Sequence, residues 1–98
     1  MPDQSDDLEW DDRKERENVA ERGLPFAFAS LIFDGRPRVE ALSRKSPAGE
    51  SRFAAMAEVD GRVLFCVYVW RGAKRRVISL RIANRKERRA YQEAVAGS

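Results

Sequence analysis

The basic residues near the carboxyl end are dense enough to bind a polyanion. Residues 71–92 contain nine Lys and Arg residues and a single acid, Glu87. Residues 1–22 have the opposite balance, with nine acids and four bases. A positive segment of this density is the electrostatic signature of a surface that binds nucleic acid. The alternative is a solvated face whose charges pair with the acidic amino-terminal segment.

Two residue types limit the chemistry that such a surface could support. The sequence has no histidine and one cysteine, Cys66. Mechanisms built on an imidazole base are therefore excluded, and proton transfer must use Asp, Glu, Lys, Arg, Tyr or Cys. Without a Cys/His cluster we expect no metal and no other cofactor. A lone cysteine, which we interpret as a packing residue, and the lack of an apolar run of about 20 residues favour a soluble cytoplasmic protein with no membrane partner.

Three strands in the second half of the chain are predicted to position most of these charges. Asp60-Gly61 is a strong signal for a two-residue hairpin, and Gly72 marks a second turn. A weaker fourth strand is predicted at Arg38–Leu42, and residues 43–50 are predicted to form a loop because they contain Pro and Gly. The three main strands have the predicted bounds Ser51–Val59, Arg62–Trp70 and Arg75–Ala83.

Helices are predicted on both sides of these strands in the sequence. Asp11 is a candidate N-cap for a first helix that ends at Gly23. Pro25 is placed to begin a second, short helix. Asn84 and Glu87 have the spacing of a capping box, which predicts a third helix that runs to about residue 96.

These elements predict an α+β fold. We expect a three- to four-stranded antiparallel β-meander flanked by amino-terminal helices and a carboxyl-terminal helix. Residues 8–96 are expected to form a single domain. The polar, acidic residues 1–7 are expected to be disordered.

Two-residue turns in both hairpins would divide the strands into an apolar face and a basic, aromatic face. The predicted core face contains Ala54, Met56, Val63, Phe65, Val67, Val69, Ile78, Leu80 and Ile82. The opposite face contains Arg62, Leu64, Cys66, Tyr68, Trp70, Arg75, Val77, Ser79 and Arg81. Arginine binds phosphate and aromatic rings stack on unpaired bases, so this second face is predicted to bind RNA. The alternative is that Tyr68 and Trp70 are buried beneath another helix or at a protein interface.

Short sequences along the chain resemble those of the BrnT family of toxins in both order and spacing, over about residues 8–93. They are Leu8-Glu9-Trp10-Asp11 with Lys14 and Asn18, Gly23-Leu24-Pro25-Phe26, Phe33-Asp34, Gly49-Glu50-Ser51-Arg52, Asp60-Gly61-Arg62, Val67-Tyr68, Ile78-Ser79-Leu80-Arg81-Ile82-Ala83 and Glu87-Arg88-Arg89-Ala90-Tyr91.

The resemblance implies a RelE-like fold and the toxin half of a type II toxin–antitoxin pair. It implies metal-independent RNA cleavage that arrests growth. It also implies a partner, a BrnA-like ribbon-helix-helix antitoxin that binds DNA and wraps the toxin. The chain would then reach operator DNA only through the antitoxin.

Arg81 is the candidate for stabilising charge on the phosphoryl oxygens, because a guanidinium stays charged and fits phosphate. Glu87 and Tyr91 are candidates for moving a proton, with helix capping and packing as their alternative roles. Lys14 and Arg52 are candidates for phosphate contacts through the resemblance. The full set of candidate RNA-binding residues is Lys14, Arg52, Tyr68, Arg75, Arg88 and Arg89.

The sequence also differs from the family at two points. The Lys-His pair that precedes the glycine is replaced by Glu21 and Arg22, and Ile82 replaces a second strand arginine. A catalytically weak or inactive module that binds antitoxin or RNA is therefore a second hypothesis. A DNA-binding protein is a weaker third, because the basic helix follows a strand directly and has no helix-turn-helix partner.

Overall fold

The computed structural model describes residues 8–45 and 49–97. The expectation of disorder in residues 1–7 lies outside this range. The elements, in chain order, are β1 (Leu8–Trp10), α1 (Asp12–Arg22), a 3-10 helix (Phe26–Leu31), β2 (Arg38–Lys45), β3 (Ser51–Val59), β4 (Arg62–Arg71), β5 (Lys74–Ile82) and α2 (Arg85–Ala96).

The described strands form one five-stranded mixed sheet in the order β1-β5-β4-β3-β2. Strands β2 to β5 are the antiparallel meander that the sequence predicts, with β2 longer than expected because residues 43–45 are strand and not loop. The sheet is larger than the predicted three or four strands, because β1 adds a fifth strand parallel to β5, with Leu8 opposite Arg75. From the sequence, Leu8–Trp10 could be a short strand or an anchored entry to the first helix, because three residues are too few to show a periodic pattern.

The β3–β4 hairpin confirms the predicted register. Asp60 and Gly61 both have positive φ angles, 52° and 80°, as a two-residue type I′ turn requires. Met56 consequently lies opposite Phe65, and Glu58 lies opposite Val63.

The main core lies on the sheet face opposite to the one predicted. Leu64, Cys66 and Tyr68 of β4 point into it, beneath the 3-10 helix and the residues that follow it. The prediction was wrong because both faces of β4 are apolar, so alternation does not say which face is covered. The main core contains Leu8, Leu24, Phe26, Ala29, Ile32, Phe33, Ala55, Ala57, Val59, Leu64, Cys66, Tyr68, Val77 and Leu80.

Strand β5 changes face at a β-bulge. The second turn has the predicted two residues, and Tyr68 pairs with Val77, but Val67 pairs with Ser79. Ile78 is therefore the extra residue. A regular register after the two-residue turn predicts that Val67 pairs with Ile78, Phe65 with Leu80 and Val63 with Ile82, and this prediction is wrong. Because a shift of one residue exchanges the faces, Leu80 enters the core and the residue after it points to the other side.

The two α-helices begin and end where the sequence predicts. Asp11 caps α1 through the backbone N–H groups of Arg13 and Lys14. Asn84 and Glu87 form the complete capping box of α2. The second predicted helix is a 3-10 helix. No helix in the described parts of the chain combines the length and the apolar character needed to cross a bilayer.

Candidate functional site

The second face of the sheet is only partly covered. Tyr91 and Val95 of α2 pack there in a small cluster with Val63 and Met56. The uncovered remainder is a cleft of about 370 Å³. It is lined by Ser43, Arg52, Phe65, Val67, Ile78, Ser79, Arg81 and Glu87. Three of the predicted site residues, Arg52, Arg81 and Glu87, thus come together from β3, β5 and α2.

Arg81 is held from two sides. Its Nη1 and Nη2 donate to the two carboxylate oxygens of Glu87 at 2.7 and 2.8 Å. Its guanidinium carbon lies 4.2 Å from the ring centroid of Phe65, the residue opposite it on β4. The hydrogen bonds to Glu87 raise the pKa of Arg81, and the same bonds lower the pKa of Glu87. Both groups are therefore charged at neutral pH.

The capping box of α2 fixes the position of Glu87. The Glu87 carboxylate accepts a hydrogen bond of 2.9 Å from the backbone N–H of Asn84 while it binds Arg81. A guanidinium has five N–H groups. Glu87 takes two of them, and the carbonyl oxygen of Ile82 takes one at 3.4 Å. Arg81 therefore keeps donors for an anion while its pair with Glu87 stays intact.

Arg52 supplies a second positive charge to the cleft. Its Nε is buried and has no hydrogen-bond partner among the residues that the structure describes. A buried donor of this kind is costly unless it is paired. With Arg81 and Glu87, Arg52 gives the cleft lining a net positive charge.

The cleft continues towards α1. Ile78 and Ser79, the two residues at the bulge, also line an adjoining depression of about 150 Å³. The other residues around this depression are Lys14, Glu17, Asn18, Glu21 and Arg22. Lys14 is therefore next to the cleft, although the two acids in the same depression offset its charge.

Arg88 and Arg89 lie on the exposed surface of α2, beside Glu87 in sequence. With Arg85 and Lys86 they place four basic side chains in the first two turns of the helix. This position suits contacts with a polyanion that extends beyond the cleft.

Tyr68 and Arg75 lie on the core face of the sheet and not in the cleft. Tyr68 is buried and its hydroxyl donates to Glu40, and burial raises the Tyr68 pKa to about 12. The Arg75 guanidinium lies 4.1 Å from the Phe33 ring centroid and 4.7 Å from that of Trp70. The alternative that the sequence left open for Tyr68, burial beneath another element, is therefore what the structure shows.

Tyr91 also lies outside the cleft. Its hydroxyl donates to the carbonyl oxygen of Pro37 at 3.0 Å and accepts from the backbone N–H of Glu58 at 3.2 Å. These bonds join α2 to the segment before β2 and to the end of β3. Its position fits the packing role that was the alternative to proton transfer.

Sequence reasoning assigned three residues of the cleft to the core: Phe65, Val67 and Ile78. A regular two-residue alternation places them on one face with Val63 and Leu80. The bulge that turns Arg81 into the cleft has no signature in the strand sequence. Glycine in a strand often marks a bulge, and β5 contains none.

Cys66 is buried in the core, and burial raises its pKa to about 12, so the group is a neutral thiol. Within residues 8–45 and 49–97, no group of three or more His, Cys, Asp or Glu side chains is arranged to hold a metal ion.

The structure is that of a small α+β protein with one covered sheet face and one open sheet face, and the open face carries a cleft lined by two arginines. The family model described as "Ribonuclease toxin, BrnT, of type II toxin-antitoxin system" matches residues 10–87 of the 98-residue chain. The chain therefore belongs to the BrnT family of ribonuclease toxins, and a toxin of this type has an antitoxin partner. No curated protein matches the chain.

Proposed function

We propose that this chain is a metal-independent endoribonuclease toxin that arrests growth by cleaving RNA in the cytoplasm. The observation that carries this proposal is Arg81, fixed by Glu87 and Phe65 at the wall of the cleft with donors left for an anion. A positively charged group held in advance where charge develops is the arrangement that stabilises a transition state.

The proposed reaction is attack of an RNA 2′-hydroxyl on the adjacent phosphate. The new bond joins the 2′-oxygen to phosphorus, and the bond from phosphorus to the 5′-oxygen breaks. The upstream fragment then ends in a 2′,3′-cyclic phosphate, and the leaving 5′-oxygen takes up a proton to give a downstream fragment with a 5′-hydroxyl. Arg81 binds the phosphoryl oxygens as negative charge grows on them. Glu87 holds Arg81 in place and is the candidate acceptor of the 2′-hydroxyl proton.

The other basic residues are assigned contacts with the RNA according to their positions around the cleft. Arg52 lines the same cleft as Arg81 and would bind the same or the next phosphate. Lys14 lies in the adjoining depression, and Arg88 and Arg89 bind the backbone beyond the cleft. Tyr68, Arg75 and Tyr91 are not part of the proposed site.

The proposed partner is a BrnA-like ribbon-helix-helix antitoxin that neutralises the toxin. In this scheme the antitoxin binds operator DNA, and the chain reaches the operator through it. The basic cleft and the basic face of α2 favour a partner segment with acidic side chains.

The direct test is incubation of the purified chain with a defined RNA in the presence of EDTA. We expect fragments that end in a 2′,3′-cyclic phosphate, and we expect expression of the chain without its antitoxin to stop growth. An RNA with a 2′-deoxy nucleotide at the cut position serves as the matched substrate control and is expected to stay intact.

Two results would contradict the proposal. Cleavage that needs a divalent ion would exclude the metal-free mechanism. Intact RNA together with normal growth would exclude a ribonuclease toxin and favour the second candidate, a module that binds antitoxin or RNA. In that module the Arg81–Glu87 pair would act as a fixed contact for a partner.

A further inference from the structure

Asn18 is a buried polar residue on a helix whose other residues are mostly exposed. Only 6% of it is accessible to solvent. Its Nδ2 donates to the carbonyl oxygens of Leu24 at 2.8 Å and Leu80 at 2.9 Å. Its Oδ1 accepts from the backbone N–H of Leu80 at 3.3 Å. One side-chain amide thus pairs with both backbone groups of a residue in β5.

The Asn18 contacts pair backbone groups on the edge of β5 beyond the end of β1. Strand β1 ends at Trp10, which pairs with Val77. Three residues further along the same edge of β5, the Asn18 amide takes the place of a neighbouring strand at Leu80. Ile78 and Ser79, the bulge residues, lie between the two points where this edge is held.

The register of β5 after the bulge decides where Arg81 points. The adjacent Leu80 lies in the core, and Arg81 lies opposite Phe65 in the cleft. Strain or slippage between Val77 and Leu80 would move both side chains. A full shift of β5 by one residue would bury the Arg81 charge in the core, which is costly. Loss of the Asn18 contacts is therefore expected to loosen the segment from Val77 to Leu80 and not to reverse its faces.

We propose that Asn18 is a positioning residue for Arg81 of the cleft. It holds the edge of β5 at Leu80, and thereby fixes the bulge register that puts the Arg81 guanidinium on Phe65 and Glu87. A kinetic test of this role rests on the proposed function, whereas a spectroscopic test rests on the structure alone.

The kinetic test uses Asn18→Ala, with Asn18→Ser as a milder variant if the first does not fold. We expect kcat for RNA cleavage to fall about 10- to 100-fold with KM changed less than about threefold, because misplacement by about 1 Å slows a reaction without removing binding groups. Glu15→Ala is the matched control. This variant removes the 3.1 Å hydrogen bond from the Phe26 backbone N–H to the Glu15 carboxylate, which lies on the same helix as Asn18. It leaves the Asn18 contacts with β5 in place.

A double-mutant cycle separates positioning from general loss of structure. If Asn18 acts through Arg81, then Asn18→Ala adds little to the loss already caused by Arg81→Ala. Independent losses that multiply would overturn the proposal. So would equal losses in Asn18→Ala and Glu15→Ala.

The spectroscopic test needs no activity. The Phe65 ring shifts the proton resonances of Arg81, which stacks on it, and Asn18→Ala or Asn18→Ser is expected to remove much of this shift. In the parent chain the Leu80 amide is expected to exchange as slowly as its paired neighbours in β5. Fast exchange at Leu80, or an unchanged Arg81 shift in a folded variant, would overturn the positioning role. A parent chain that leaves RNA intact but passes both tests would contradict the proposed function alone.

Discussion

Arg75 and Arg81 occupy almost the same local setting on opposite faces of the sheet. Both are on β5, and each stacks on the aromatic residue directly opposite it on β4, Trp70 or Phe65. Each also has a glutamate partner, at 3.9 Å for Arg75 and 2.7 Å for Arg81. The two side chains nevertheless have different surroundings, because they lie on opposite faces of the sheet.

The two arginines differ in what covers them and in how far their side chains are exposed. On the core face, Phe33 at the end of the 3-10 helix segment covers Arg75, whose side chain is 13% exposed. On the cleft face, the Arg81 side chain is 29% exposed. Both arginines border a depression, of about 310 Å³ for Arg75 and about 370 Å³ for Arg81, so the difference lies in the exposure of the side chain. Arg75 is therefore part of the packing, while Arg81 keeps donors for a ligand.

The bulge at Ile78 creates this contrast. Residues 75 and 81 are six positions apart, so a regular strand would place them on one face. The extra residue puts them on opposite faces instead. The comparison shows that a stacked, glutamate-paired arginine is a functional candidate only when its face of the sheet is open.

Arg81→Ala is expected to have the largest effect on activity. Removal of one group that stabilises a developing charge costs about 100- to 1000-fold in kcat. The measurement is the cleavage rate of a defined RNA in EDTA. Arg76→Ala is the matched control, because Arg76 lies on the same strand, pairs with Glu9 and has a similarly exposed side chain. Equal rates in Arg81→Ala and the parent would show that Arg81 has no role in the reaction.

Arg75→Ala is expected to change stability and leave the chemistry intact. The variant loses stacking on three rings and exposes part of the cluster around Tyr68, which together lower the free energy of unfolding by roughly 2 kcal/mol. Urea unfolding measures this loss. The cleavage rate per folded molecule should stay within about twofold of the parent. A large fall in rate without a loss of stability would place Arg75 in the RNA site and remove the contrast with Arg81.

The sequence was sufficient for those features that depend on local signals. Helix caps at Asp11 and Asn84 and the Asp60-Gly61 turn depend on a few adjacent residues, and all three lie where they were predicted. Chemistry pointed to Arg81 and Glu87, and the family resemblance pointed to Arg52. The three residues do share a cleft.

The choice of sheet face could not be predicted in the same way. It depends on which face the 3-10 helix covers and on a bulge between Val77 and Ser79, both set by tertiary contacts. With apolar residues on both faces of β4, the alternation pattern fits either choice. The ambiguity between the faces placed Phe65 and Ile78 in the core, and the unpredicted bulge is the reason that Tyr68 and Arg75 were placed with Arg81.

Asn84→Ala tests whether the α2 cap and the Arg81 site are separable. The variant loses the bond from the Glu87 backbone N–H to the Asn84 side chain, which is 2.8 Å long, and should cost about 1 kcal/mol of stability. The backbone N–H of residue 84 still binds the Glu87 carboxylate. We therefore expect cleavage to stay within about twofold of the parent, measured beside urea unfolding. A tenfold slower variant would mean that the cap itself orients Arg81.

The Arg81–Glu87 pair should also produce a small, separable pH dependence of stability. Hydrogen bonds from Arg81 lower the pKa of Glu87 from its ordinary value of 4.5 in the folded chain. A carboxylate whose pKa is lowered by folding stabilises the protein above its unfolded pKa, and this contribution is lost as the pH falls through the folded value. For a partly exposed pair the contribution is about 0.5 kcal/mol. Urea unfolding of the parent and Glu87→Gln between pH 3 and 7 should therefore show a difference in stability that is constant above about pH 5 and shrinks below it. A difference that stays constant to pH 3 would show that Glu87 contributes through packing and not through its charge, and Arg81 would then be held mainly by Phe65.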